Sequence, residues 1–222
     1  GVAYNLAMIL TFVLNAINGS YVPWLYGKIK KNNAQDNKSI SLILIMLMGL
    51  IILCVIWYAP EIILIMAGKQ YSVAIYVVAP VSMSLLLLFY SQLFINIEFY
   101  YEEKKMLVYG SIGAAVLNII LNGLLIPIFG FVAAGYTTLI SYIVFALSNY
   151  YTMRLMLKKR KLDDDMYDYK LLLLLFVAFM ISGFLGVSLY GNLILRILIT
   201  LVVFGLLVIN KNKFIDALKK IK

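Results

Sequence analysis

Asn118 and Asn122 stand four residues apart inside one apolar run, MLVYGSIGAAVLNIILNGLLIPIFG. On a helix that spacing places both carboxamides on one face, and Ser111, seven residues before Asn118, falls near the same line. Gln92 and Asn96 repeat the interval in the preceding run, and Thr137 and Ser141 repeat it in the next, AAGYTTLISY. Side chains of this kind exchange hydrogen bonds with a hydrated solute when they line an aqueous cavity. They also tie neighbouring helices together, at about 0.6 kcal/mol per bond on average. Thr and Ser have a third option, returning the hydroxyl to the i−4 carbonyl of their own helix. The small residues Gly110, Gly113, Ala114 and Ala115 would let another backbone approach the Asn-bearing helix.

Charged groups inside the apolar runs are few. Glu61 follows Pro60 near one end of the second run, a position that fits ion coupling or plain interfacial solvation. Glu98 lies near the end of the third, and Arg196 sits about a turn into the last, within snorkelling reach of the interface. The candidate cavity residues are therefore Gln92, Asn96, Asn118, Asn122, Thr137, Ser141 and Arg196, with Glu61 the candidate for ion coupling. The chain has no histidine and a single cysteine, Cys54 in LIILCVIWY. That leaves no His-based triad and no His or Cys cluster for a metal. With no paired acids at mid-membrane either, no enzyme activity, metal or cofactor is expected.

The elements that must position these groups follow from composition. Of 222 residues, 64% are hydrophobic and 13% charged, and the mean hydropathy is +0.97. Soluble domains run nearer about 45–50% and 25%, so this is an integral membrane protein. Crossing the hydrocarbon core takes about 20 largely apolar residues per helix. Seven such runs can be read: 2–26, 40–68, 74–101, 106–127, 131–153, 171–190 and 193–209. They are too long and too continuous for barrel strands, which alternate over about 10 residues. The fold expected is all-α, with about seven transmembrane helices.

Charge tests the count. Seventeen of the 19 Lys and Arg fall on alternate linkers and the C-terminal tail, as seven spans and the positive-inside rule require. The basic side is placed in the cytoplasm, with Gly1 outside and the tail inside. Basic clusters lodged between apolar runs point to membrane headgroups rather than nucleic acid. Trp24, Trp57, Tyr71, Tyr76, Tyr100, Tyr101, Tyr150, Tyr151 and Tyr190 gather near run ends, where amphipathic rings favour the interface. The stretch LKKRKLDDDMYDYK marks the clearest boundary. It divides the chain into five spans over 1–157, a charged cytoplasmic linker over 158–170, and a helix pair with a basic tail over 171–222.

The stretch LNIILNGLLIPIFGFVAAGYTTLISY resembles polysaccharide biosynthesis proteins, the oligosaccharide flippases of the Wzx type. Asn118, Asn122, Pro127, Gly130, Ala133 and Ala134 carry the likeness, although the family favours Gly at position 133. Weaker echoes stand in the same order: GVAYNLA with Pro23, APEIILIMAGKQY, IYVVAPVSMSLLLLF and FYYEEKK. The likeness runs from Gly1 to about Lys161 and loosely onward. It implies the C-terminal bundle of a two-bundle transporter of the multidrug/oligosaccharidyl-lipid/polysaccharide superfamily. Its implied cargo is an undecaprenyl-diphosphate-linked oligosaccharide, moved across the cytoplasmic membrane with an N-terminal bundle as partner. A drug antiporter of the same superfamily, a non-transporting subunit of a polysaccharide synthesis complex and a seven-helix receptor are the competing readings.

Overall fold

The computed structural model describes residues 2–103, 105–162 and 164–209, and the regular structure among them is helical. The helices are α1 (Val2–Lys30), α2 (Asn37–Trp57), α3 (Ala59–Ala67), α4 (Ile75–Tyr100), α5 (Lys105–Phe129), α6 (Val132–Lys159), α7 (Tyr169–Ser188) and α8 (Leu193–Ile209). Short 3₁₀ turns precede α2 and α4. Six helices, all but α3 and α8, are long and apolar enough to cross a membrane. The chain is an all-α, multi-pass membrane protein. With 17 residues, α8 is about 25 Å long, short of the roughly 30 Å hydrocarbon core. Gly1, Lys104, Asp163 and the basic tail from Lys211 lie outside the described residues.

One expected span is interrupted. The second apolar run forms α2, breaks at Tyr58 and resumes as α3. Pro60 supplies the reason: it has no N–H to give the carbonyl of Ile56, and it is well tolerated in the first turn of a new helix. The Ile56 carbonyl accepts the Tyr190 hydroxyl instead, at 3.1 Å. Gly68, at φ +81°, then ends α3 in a conformation that L side chains rarely adopt.

At the centre of the bundle stands α4, packed by α6, α1, α2 and α7. Leu6 and Val78 share one small apolar cluster, while Asn18 meets Asn96 further along the same two helices. Gly135 faces Pro80, and Thr152 meets Glu98. The helices α1, α4 and α6 therefore run in parallel, with α5 as the return helix between α4 and α6. They also end alike. Asn32, Glu102 and Lys161 all take positive φ. Each lies within a 6→1 bond: Asn33 N–H to Lys28 O, Glu103 N–H to Glu98 O and Leu162 N–H to Leu157 O, all 2.9 Å. That is the Schellman arrangement, built three times at one end of the bundle.

Glycine holds α7 against α2 and α4. A Cβ at Gly186 would lie 2.2 Å from the Trp57 ring, one at Gly49 2.4 Å from the Phe179 ring, and one at Gly183 2.0 Å from Met83 Cε. Each helix of the α2–α7 pair thus offers a glycine notch to the other's aromatic ring. Gly113 and Gly123 on α5 face open space, and Gly110 approaches only Ser148. The helix α5 packs chiefly on α6, leaving Ile112, Val116, Ile119 and Leu124 exposed.

Candidate functional site

The interruption after α2 creates a densely bonded group of side chains and backbone carbonyls. Arg196, 2% exposed, grips Glu61 with both guanidinium nitrogens: Nη1 to Oε2 and Nη2 to Oε1, each 2.7 Å. Nη1 also donates to the Trp57 carbonyl at 2.5 Å and Nη2 to the Tyr190 carbonyl at 3.3 Å. The rings of Tyr58 and Tyr190 stand 6.0 Å from the guanidinium carbon. The Tyr58 hydroxyl donates to Thr200 at 3.0 Å. A forked guanidinium satisfies a carboxylate and stray carbonyls together, which a lysine could not do. Hydrogen bonding from Arg196 holds the Glu61 carboxyl below the usual carboxylate range. Arg196 and Glu61, expected as a cavity residue and an ion coupler, meet as a clamp that ties α8 to the α2–α3 break.

The other expected residues fall into two seams. Between α5 and α6, Asn122 Nδ2 donates to Asn118 Oδ1 at 3.0 Å, and the Thr137 hydroxyl donates to Asn122 Oδ1 at 2.5 Å. Ser141, one turn on, gives its hydroxyl to the Thr137 carbonyl at 2.8 Å. Thr137 and Ser141 are buried, whereas Asn118 and Asn122 are half-buried. Between α1 and α4, Asn96 Nδ2 donates to Asn18 Oδ1 at 2.8 Å. Gln92, one turn away on the same face, has a buried carboxamide oxygen without a hydrogen-bond partner. Asn96 thus pairs with α1, and Asn122 with α6.

A third group was not among the sequence candidates. Glu98 and Asn149 are each 1% exposed, in the α4–α6 interface. The Thr152 hydroxyl donates to Glu98 Oε1 at 2.5 Å and to the Asn149 carbonyl at 3.2 Å. Glu98 Oε2 and Asn149 Oδ1 are buried and have no partner. The sequence did hold a signal: Asn149 and Thr152 share one α6 face, three residues apart, but nothing in it says which face meets Glu98.

The end of the bundle bearing the Schellman turns is closed by linker residues 160–162 and 164–168. Asp165 pairs with Lys38, Asp164 with Arg154 at 2.5 Å, and Glu103 with Arg160 at 3.1 Å. Asn37 accepts from the Tyr21 hydroxyl at 2.7 Å and donates to the Met166 carbonyl at 3.2 Å. Tyr167 is buried and gives its hydroxyl to the Leu93 carbonyl at 2.6 Å. Burial pushes that phenol well above its ordinary pKa. Beside this plug an apolar groove of about 460 Å³ runs between α4, α6 and α7, with Lys170 among its lining residues.

No known family model, curated protein or solved structure matches the chain. The site must therefore be read from its own chemistry. Among the described residues no group of three His, Cys, Asp or Glu gathers to hold a metal. The seams offer carboxamides and hydroxyls, which recognise hydrated neutral groups, while the described charged residues lie at the bundle ends or in the two Glu-centred groups.

Proposed function

We propose that the chain is the C-terminal part of a lipid-linked oligosaccharide flippase, in which the α5–α6 seam contributes to the wall of a hydrated path. The observation carrying this reading is the half-buried Asn118–Asn122 pair on α5, bonded to the buried Thr137 of α6, on a helix that is otherwise nearly uncovered. A helix facing only lipid gains nothing from two asparagines, because polar groups in hydrocarbon are costly. A helix bordering a hydrated cavity does gain. Such a cavity replaces the water around a glycan and a diphosphate that cannot cross about 30 Å of hydrocarbon unaided. An N-terminal bundle would cover the bare α5 face and supply the basic residues for the diphosphate. In this reading the basic end of the bundle lies in the cytoplasm, and the membrane is the cytoplasmic one.

The test is reconstitution of the protein from its full reading frame into vesicles holding a polyprenyl-diphosphate oligosaccharide, with leaflet exchange read by lectin access. Asn118→Ala with Asn122→Ala is expected to slow exchange at least tenfold while the fold persists by circular dichroism. Unchanged exchange in a folded double variant, or none in the parent protein, overturns the reading.

A further inference from the structure

We propose that the apolar groove between α4, α6 and α7 seats one anionic phospholipid, with an acyl chain in the groove and the phosphate on Lys170. The direction of the groove is the first observation. Its lining runs from Leu87 to Phe94 on α4, from Ile143 to Tyr150 on α6 and from Tyr169 to Phe176 on α7. Seven residues rise about 10 Å, so the slot lies along the helices and not across them. The helices α4 and α6 run toward the Schellman end, and α7 begins there. Phe94, Tyr150 and Tyr169 therefore meet at the mouth, with ring centroids 5.6 Å and 5.3 Å apart in turn. Helices that cross a membrane lie within some 20° of its normal on average, which is also the direction of the acyl chains.

The lining is the second observation. Leu87, Tyr90, Phe94, Ala146 and Leu172 form a buried floor, while Leu147 and Leu173 on the flanks are 61% and 62% exposed. The slot is thus open along its outer side, where lipid surrounds the bundle, and the short Ala146 side chain gives it depth. Tyr90 could have made the interior polar, but its hydroxyl is spent on the Leu172 carbonyl at 2.9 Å. An interior of this kind takes methylenes and rejects a hydrated group, which would lose its water without a partner.

Charge at the mouth is the third. Lys170 lines the groove there, is exposed, and has no acidic partner among the described residues. The acids of the linker are engaged elsewhere: Asp164 with Arg154, Asp165 with Lys38, and Asp168 with the Leu171 N–H as the cap of α7. Arg154, stacked over the Tyr150 and Tyr169 rings at 5.9 Å and 5.0 Å, is matched by Asp164. One unmatched cation beside an apolar slot fits the single negative charge of a phosphodiester on an acyl-bearing glycerol. A diphosphate carrier would bring more charge than Lys170 alone can meet. The proposal does not depend on the flippase reading, and its test needs no transport.

The purified full chain, stripped of lipid in detergent, is titrated with phosphatidylglycerol or with phosphatidylcholine of the same acyl chains, and bound lipid is counted by native mass spectrometry. Phosphatidylglycerol should be favoured about fivefold, the worth of one base beside an anionic headgroup. Lys170→Gln should abolish that preference. Lys158→Gln, which removes an exposed base of α6 outside the groove, should keep it. Ala146→Phe fills the slot and should reduce retention of both lipids severalfold. Equal retention of the two lipids by the parent, or the same loss of preference in both lysine variants, overturns the proposal. So does a dimer that Ala146→Phe separates, since the groove would then seat a second copy, and so does displacement of the phospholipid by equimolar polyprenyl diphosphate. If Ala146→Phe does not fold, Lys170→Gln decides: an undiminished preference rejects the seat.

Discussion

Two glutamate-centred groups sit on α3 and α4, one half-buried and one buried, and their surroundings are opposite. Glu61 accepts both arms of a guanidinium that also binds two backbone carbonyls. Glu98 accepts one threonine hydroxyl and has an oxygen left over. The more exposed glutamate, at 33%, has the full complement of partners, and the more buried one has the fewest. A broken helix end presents bare carbonyls and invites a cation, which brings its own counter-ion. The uninterrupted α4–α6 interface presents no such carbonyls, and among the described residues no basic side chain pairs with the carboxyl there. Backbone continuity, more than residue type, sets the difference.

The largest effect should come from breaking the clamp on one side. Glu61→Leu leaves Arg196 buried with only carbonyls, at an expected cost of about 3 kcal/mol. The double variant Glu61→Leu with Arg196→Met should recover most of that, since an apolar pair avoids desolvation altogether. Thermal unfolding in detergent measures both. Equal losses in the single and double variants would mean that the clamp is not an electrostatic unit.

The clamp can also be disturbed from a distance. Gly186→Val drives a side chain into the Trp57 ring, and the Trp57 carbonyl is one of the Arg196 acceptors. An overpacking loss of about 2 kcal/mol is expected. Gly123→Val on open α5 should stay within about 0.5 kcal/mol. Matching Tm shifts for the two would contradict the notch packing of α2 and α7.

At the other group, Thr152→Val removes the one hydroxyl that reaches Glu98. A neutral carboxyl should lose about 1 kcal/mol, whereas a charged one would lose about 2–3. The same Tm measurement therefore tells whether Glu98 keeps a charge as the clamped Glu61 does.

The smallest effect concerns pH. Because Arg196 holds the Glu61 carboxyl below its ordinary range, the clamp's contribution is complete above the unfolded carboxylate pKa, about 4.3. It is lost as pH falls through the lowered folded-state value. The Tm gap between the parent and the Glu61→Leu, Arg196→Met pair should accordingly be flat across neutral pH and change only in acid. A gap that changes around neutrality would show that Glu61 titrates there.

Much of this was legible along the chain. Apolar run length identified helices at every span, and the residue four positions on from Asn118 was the one its carboxamide meets. Pro60 stood in plain view, yet the run around it read as one span because hydropathy is blind to a missing N–H. The glycines were legible only in part. Of those on α5, Gly110 meets Ser148 while Gly113 faces open space, and Gly49, Gly183 and Gly186 make closer approaches still; a glycine's spacing does not reveal which neighbour arrives. The linker read as a solvated boundary because its acids are obvious, while Met166 and Tyr167, which plug the bundle, are ordinary residues in an acidic stretch.

By itself the sequence determined the solvent, the secondary structure and the faces: hydrocarbon rather than water, helices rather than strands, and which polar groups share a stripe. These depend on local composition and the 3.6-residue period, both properties of a segment alone. Tertiary structure decided the partners. That Arg196 reaches back 135 residues to Glu61, that Asn96 turns to α1 while Asn122 turns to α6, and that Glu98 is left with an unengaged oxygen all depend on helix adjacency. Adjacency arises from packing between distant segments, notch against ring and crossover against hub, and no single segment contains it.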